Sequence, residues 1–293
     1  MSGQSRGFSN ISCEIKSNRI TLNKHSMITA NNIKAFSLIE LLVVISIISL
    51  LLSILMPALT AIKAQSKQVV CRSNLRQLLL ANIDYAGRNK SSYVHAALDI
   101  FSDNKHRWYG VRDDTDKPFD PAKGPLASHL GQSRIECPTK INFTNLSPSE
   151  SDHDEGSGGY GYNMIYIGSR IWKDGYEDRS CKTTAKETNI RRPTQTLMFA
   201  DTAMAKTGFY IEYSFAEPRY FVVDGEPVID SGWDPSPSIH FRHRGRANVG
   251  WADGHVSSEK MGKYDRINDD GTRPATMDLG WFEPMDNSLF DLK

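Results

Sequence analysis

A chain of 293 residues can hold one sizeable core plus an appendage, and its 39% hydrophobic and 24% charged residues exclude wholesale disorder. A formal net charge of +1 excludes the strongly basic balance of a general nucleic-acid binder, so no nucleic-acid partner is expected.

The charge is unevenly placed. Residues 1–35 carry Arg6, Lys16, Arg19, Lys24 and Lys34 against the single acid Glu14, so the head is basic and the remainder is net acidic. A basic head before an apolar run suits membrane targeting, because the positive end stays cytoplasmic. From Leu41 to Ile62 no side chain is charged. As a helix this stretch is roughly 33 Å long, enough to span a bilayer's hydrocarbon core. A plain signal anchor, an uncleaved signal peptide and a cleaved filament-type N-terminus all fit that hydrophobicity.

Two residues separate these readings. Glu40 sits at the edge of the apolar run, where a carboxylate costs roughly 2.5–3.5 kcal/mol if carried deep into the membrane. Cleavage before Phe36 creates an α-amine close enough to offset it. Pro57 removes the N–H that would bond the Ser53 carbonyl, which predicts a kink or a locally melted turn. Helical spacing then continues to about Gly87 through Val69, Val70, Leu75, Leu78, Leu79, Asn82 and Tyr85, with Gly87-Arg88-Asn89-Lys90 as the stop.

The run Ala35-Phe36-Ser37-Leu38-Ile39-Glu40 resembles the prepilin peptidase site of type IV pilins and type II secretion pseudopilins. The resemblance implies cleavage between Ala35 and Phe36, N-methylation of Phe36 and pairing of Glu40 with a neighbouring subunit's N-terminal amine. It implies as partners a prepilin peptidase/methyltransferase, other pilin-like subunits in a homo- or hetero-filament, and the inner membrane. Pro57 falls where that family often has its helix-kinking proline. Ala35 replaces the family's usual Gly, and the leader is long; a start at Met27 shortens it to nine residues.

Beyond residue 90 the sequence is polar, turn-rich and aromatic. Strands are expected at Tyr160–Gly168, Thr196–Ala200, Gly208–Phe215, Arg219–Val223, Ser238–His243, Arg246–Ala252 and His255–Ser258. The expected fold class is therefore α+β and pilin-like: a long N-terminal helix, its first half transmembrane, packed on an antiparallel β-sheet with one buried face. The expected division is a leader (1–35), a long helix (36–88, transmembrane about 41–62) and a periplasmic or extracellular globular domain (89–293). Asp113–Gly124 and Asp152–Gly159 read as exposed loops; the second could offer carboxylates to calcium, against a solvated acidic loop as the plainer reading. Beyond the apolar run stand Cys71, Cys137 and Cys181, an odd number; a bridge, if formed, is expected between Cys137 and Cys181, with free thiols the alternative.

Asp253-Gly254 reads as a two-residue hairpin turn pairing Ala252 with His255, Trp251 with Val256 and Val249 with Ser258. Ala247, Val249, Trp251 and Val256 then share a buried face, and His255 lies near solvent. His240, His243, His255 and Asp253 are metal-ligand residue types, but a strand of this length holds His243 and Asp253 roughly 20 Å or more apart. Asp253 is expected to cap its own turn, and no metal or cofactor is expected. The spacing from His243 to Asp253-Gly254 resembles the C-terminal signature of the processing-associated H-x9-DG prepilin-like proteins. Cys71-Arg72-Ser73-Asn74-Leu75-Arg76-Gln77, Cys137-Pro138, Tyr160-Gly161-Tyr162-Asn163 and Phe199-Ala200-Asp201 are similar to phrases of the same family. A pilin-like role is what this implies, with His243, Asp253 and Gly254 as a signature of unknown role. No nucleophile elbow, P-loop, HExxH or Rossmann fingerprint is present, so no enzymatic activity is expected. A filament subunit leads; a minor tip subunit recognising a secreted substrate or polysaccharide, and a membrane-anchored enzyme, are the competing classes.

Overall fold

The computed structural model describes residues 36–131, 135–139, 141–143, 155–229, 235–268 and 270–293. Two compact units result, Met1–Ser53 and Ile54–Lys293.

The first unit is described from Phe36, and helix α1 (Leu38–Arg88) begins in it. Its start is a reciprocal cap. The Ile39 N–H donates to Ser37 Oγ at 3.3 Å, and the Ser37 N–H donates to Glu40 Oε2 at 2.9 Å. Ser46 and Ser53 sit in the apolar run, and their hydroxyls donate to the carbonyls of Val43 and Leu50, each at 2.7 Å. Both hydroxyls are thus satisfied within the helix, as an apolar environment demands. The helix is long and apolar enough to cross a membrane.

In the larger unit α1 runs on without a break, Pro57 included, so of the expected kink or melted turn the melted turn is absent. Its buried face is Cys71, Leu75, Leu78, Leu79, Ala81, Asn82 and Ala86. Val69 and Val70, expected on that stripe, are exposed, and Cys71 takes the inward position. Helical spacing shows that a stripe exists; only the sheet selects which side of it turns inward.

Short strands follow: β1 (His106–Arg107), β2 (Gly110–Val111), β3 (Tyr160–Tyr162), β4 (Leu197–Asp201), β5 (Met204–Lys206), β6 (Phe209–Ile211), β7 (Val222–Val223), β8 (Glu226–Pro227), β9 (Ile239–His240), β10 (Arg246–Trp251), β11 (Val256–Lys260) and β12 (Leu279–Gly280). The one further α-helical turn among the described residues is α2 (Ile171–Asp174). The central sheet is antiparallel in the order β11-β10-β4-β3, and β1–β2, β5–β6, β7–β8 and β9–β12 form two-stranded pairs. The architecture is thus α+β, a long apolar N-terminal helix with antiparallel sheets, in a pilin-like arrangement.

One expectation about this sheet fails. Every residue of β3 and β4, and of β10 after Arg246, is buried, so both faces are covered rather than one. Leu79 of α1 lies so close over Gly250 that a Cβ there would meet its Cδ1 at 2.8 Å. Around Phe199 of β4, Tyr162 stacks at 4.7 Å and Trp108 meets it edge-on at 5.1 Å. Asn82 enters this core fully satisfied: its Nδ2 donates to Tyr162 Oη at 3.1 Å, and its Oδ1 accepts from the Val94 N–H at 3.0 Å.

The β10–β11 hairpin is present, one residue out of the expected register. Gly250 pairs with Val256, Val249 with Ser257 and Asn248 with Ser258. The Gly254 N–H donates to the Trp251 carbonyl at 2.9 Å and the Trp251 N–H to the His255 carbonyl at 3.0 Å. With Gly254 at φ +91° the turn is a three-residue loop ending in a glycine bulge. Ala247, Val249 and Trp251 are buried as expected, whereas Val256 is only half-buried.

The acidic loop also departs from expectation. Its residues 152–154 lie outside the described residues, but Ser157, Gly158 and Gly159 are buried. The Gly156 and Gly159 N–H groups donate to the Glu212 carboxylate at 2.9 and 3.2 Å, joined by Gly158 N–H. This end of the loop supplies donors to a buried anion instead of carboxylates to a cation. The other expected loop, Asp113–Gly124, is exposed over residues 113–118 and at Ala122 and Lys123, but Phe119 within it is buried.

Candidate functional site

The sequence-predicted processing residues occupy the start of α1. Ala35 lies outside the described residues. Phe36 is 71% exposed, and Glu40 is exposed one helical turn further along. Every large apolar side chain from Leu38 to Ile62 is exposed as well.

The histidines distribute themselves over three places. His255 and Asp253 pair at 2.6 Å on the exposed hairpin turn, and Asp253 Oδ1 accepts from the His255 N–H at 3.1 Å, which is the self-capping role expected of it. Imidazole and indole of His255 and Trp251 stack at 5.7 Å. His240 is buried, with its Nδ1 accepting from Arg242 Nε at 3.0 Å. His243 turns inward at the other end of β10, and there it joins three residues that the histidine pattern does not reveal.

Those three are Cys71, Cys137 and Asp201. With His243 they bring four donor atoms within 4.8 Å of one another, all from buried residues. Cys71 comes from the inward face of α1. Cys137 is held by its N–H donating to the Gly158 carbonyl at 2.9 Å. Asp201 ends β4, and the connection between β9 and β10 carries His243. Cys71 Sγ donates to Asp201 Oδ1 at 3.0 Å, and His243 Nε2 lies 3.3 Å from Asp201 Oδ2 and 3.6 Å from Cys137 Sγ. A surrounding layer holds these groups. Tyr160 Oη donates to Cys71 Sγ at 3.4 Å, the Asn248 N–H donates to Asp201 Oδ2 at 2.7 Å, and Thr139 Oγ1 meets His243 Nδ1 at 3.3 Å.

Of the two expectations for the cysteines, free thiols hold and the Cys137–Cys181 bridge does not. Cys137 neighbours Cys71, Cys181 lies elsewhere with its carbonyl at His95 Nδ1, and all three are free thiols. The phrases around these residues acquire roles too. Arg72 donates to the Val256 carbonyl at 2.9 Å, and Asn74 Nδ2 donates to the Glu136 carbonyl at 2.9 Å and to Tyr160 Oη at 3.2 Å. Asn163 Nδ2 ties the Leu197 and Phe290 carbonyls at 2.9 and 2.8 Å.

Electrostatically the cluster is polarised. Burial pushes the Asp201 carboxyl up, but the His243 hydrogen bond and the Arg242 charge outweigh it and hold it below its ordinary value. Burial works against the His243 imidazolium, yet its bonds to Asp201 and Cys137 raise it to about 9. Interaction with Cys71, helped by the His243 hydrogen bond, brings the Cys137 thiol down to about 5, whereas burial pushes Cys71 well up. Such a thiolate–imidazolium pair suggests nucleophilic chemistry, but the geometry does not fit. A catalytic triad needs the acid on the imidazole nitrogen opposite the nucleophile. Here Asp201 and Cys137 both approach Nε2, and none of the four residues is exposed.

A signal for this site does exist in the sequence. Asp201 closes an otherwise apolar strand, Leu197-Met198-Phe199-Ala200, and a charge placed there must be buried with partners. Which partners arrive depends on segments far apart in the chain.

Comparison with known proteins identifies the other end of the molecule. No curated protein and no solved structure matches the chain. Residues 30–56 match the family model described as the prokaryotic N-terminal methylation motif. That motif implies processing by a prepilin peptidase and assembly with other pilin-like subunits at a membrane; it marks structural subunits rather than an enzyme family. Together with the apolar start of α1 it suits anchoring in the inner membrane. The chain thus carries a prepilin-type N-terminal methylation motif, consistent with a type IV pilin-like protein or pseudopilin.

Proposed function

We propose that the chain is a structural subunit of a type IV pilus-like or type II secretion pseudopilus filament. Prepilin peptidase cuts between Ala35 and Phe36, the new amine of Phe36 is methylated, and the chain waits in the inner membrane with residues 89–293 in the periplasm. Assembly then buries Leu41–Leu59 against neighbouring helices. The observation that carries this reading is the methylation motif at residues 30–56, which takes in the apolar start of α1, where every large side chain is exposed. In lipid this surface gains little by hydrophobic transfer, so its association rests on helix–helix packing, and once out of the membrane it must stay covered by neighbouring subunits.

Glu40 sets the register in this account. Its Oε2 already caps the Ser37 N–H, and Oε1 is left to meet a neighbour's N-terminal amine. Glu40→Ala is expected to insert normally and to give few filaments. Glu40→Gln, which keeps an acceptor for Ser37 but loses the charge, should fail equally. Wild-type filament yield from Glu40→Gln would refute the pairing.

One observation favours a second reading, that of a minor tip subunit. An open cleft of about 610 Å³ is lined by Tyr166, Trp172, Arg170, Lys173, Arg191 and Lys293 among others. Tyr166 and Trp172 stack at 6.3 Å. Aromatic faces beside several cations suit an acidic polysaccharide. Retention on such a polysaccharide, lost in Trp172→Ala, supports this reading; equal retention of both proteins removes it.

A further inference from the structure

We infer that Cys71, Cys137, Asp201 and His243 form a closed tetrahedral zinc site that fastens α1, the Cys137 loop, β4 and the β9–β10 connection to one another.

The donor set is the first argument. Two cysteine sulfurs, one imidazole and one carboxylate are zinc's preferred ligands, and structural sites use four protein ligands. The spacing is the second. Zinc–sulfur bonds of about 2.3 Å and zinc–nitrogen or –oxygen bonds of about 2.0–2.1 Å, at tetrahedral angles, put S and N about 3.6 Å apart and N and O about 3.3 Å apart. Cys137 Sγ and His243 Nε2 are 3.6 Å apart, and His243 Nε2 and Asp201 Oδ2 are 3.3 Å apart. The 3.0 Å from Cys71 Sγ to Asp201 Oδ1 is the thiol's own hydrogen bond, which the metal replaces.

The third argument is the convergence on His243 Nε2. One ring N–H cannot point well at both Cys137 Sγ and Asp201 Oδ2, whereas one cation between all four atoms satisfies every lone pair. The surrounding layer is of the kind that orients metal ligands: Tyr160 Oη on Cys71, the Asn248 N–H on Asp201 and Thr139 Oγ1 on His243 Nδ1. Two thiolates and a carboxylate exceed the charge of Zn²⁺ by one. The Arg242 guanidinium, near enough to act on both Asp201 and Cys137, offsets that excess.

The four ligands leave no position for water or substrate, so the role is structural. Four segments spread from residue 71 to residue 243 are joined at one point, which constrains the unfolded chain strongly. Zinc binding needs both cysteines as thiolates and the imidazole neutral, so protons leave as the metal enters.

The test uses the full chain in detergent, reduced, stripped by chelator and titrated with Zn²⁺ alone. The expected result is one zinc per chain, with an X-ray absorption spectrum showing two sulfurs at about 2.3 Å and lighter ligands at about 2.0–2.1 Å. Cys137→Ser should lose that stoichiometric zinc. Tyr160→Phe, which keeps the packing and removes one hydrogen bond to Cys71, should weaken affinity by about 10- to 100-fold. Any one of three results overturns the inference: no zinc retained by the reduced wild-type chain, a zinc spectrum without sulfur, or a Cys71–Cys137 disulfide in protein taken directly from cells.

Discussion

The apolar start of α1 and the interior around Asp201 treat their side chains in opposite ways. Between Leu38 and Ile62 every large hydrophobic group is exposed, while in the larger unit a carboxylate, an imidazole and two cysteines are buried with partners. The first region is incomplete as a single chain and needs lipid or other subunits. The second has its own core, and Asp201, His243, Cys71 and Cys137 are partnered within it, although the Asn248 side-chain amide and His240 Nε2 are buried without a hydrogen-bond partner among the described residues. Assembly and folding thus reside in separate stretches of sequence, and mutations should separate them.

Asp201→Ala should do the most damage to folding. It strips His243, Cys71 and the Asn248 N–H of their partner, and breaking a buried charge pair costs about 3–5 kcal/mol. All five tryptophans lie beyond Ser53, so denaturant unfolding followed by their fluorescence reports on the larger unit alone. A cost under about 1 kcal/mol, typical of ordinary substitutions, would dissolve the contrast between the regions. Gly250→Val comes next. Its side chain must displace Leu79, and overpacking of this kind costs about 1–3 kcal/mol in the same assay.

The pH dependence is smaller and has a definite sign. His240 is buried beside Arg242, and together burial and that charge depress its imidazole from 6.5 to about 3. The unfolded chain therefore takes up a proton below pH 6.5 that the native chain refuses until about pH 3. Stability from this residue is complete above pH 6.5 and is lost as pH falls toward 3, by up to about 1.4 kcal/mol per pH unit. The difference between wild type and His240→Asn across that window isolates it; identical slopes would remove His240 as the cause. The smallest effect belongs to the other region. Leu51→Ala should leave the tryptophan-detected stability within about 0.5 kcal/mol of wild type while lowering filament yield.

The two regions also differ in how far their sequence could be read. α1 is written locally: an uncharged run, then helical spacing, then Gly87 and Arg88 at its end. Even so, the inward side of its second half is not legible at Val69, Val70 and Cys71, because the deciding partner is a sheet whose strands begin only at Tyr160. The β10–β11 hairpin was legible as an element and illegible in register, since a glycine bulge and a two-residue turn share the same Asp-Gly signal. Pairs as short as β7–β8 or β9–β12 carry no periodicity to read. The Cys71–Cys137–Asp201–His243 cluster lies furthest from local logic, for each member sits among ordinary neighbours and only the tertiary fold assembles them.

Mass spectrometry of the N-terminus of chain purified from membranes tests the filament-subunit account most directly. Cleavage and assembly as described predict a mature chain beginning at N-methylated Phe36. A chain that retains the residues before Phe36 and carries no methyl group there would contradict it.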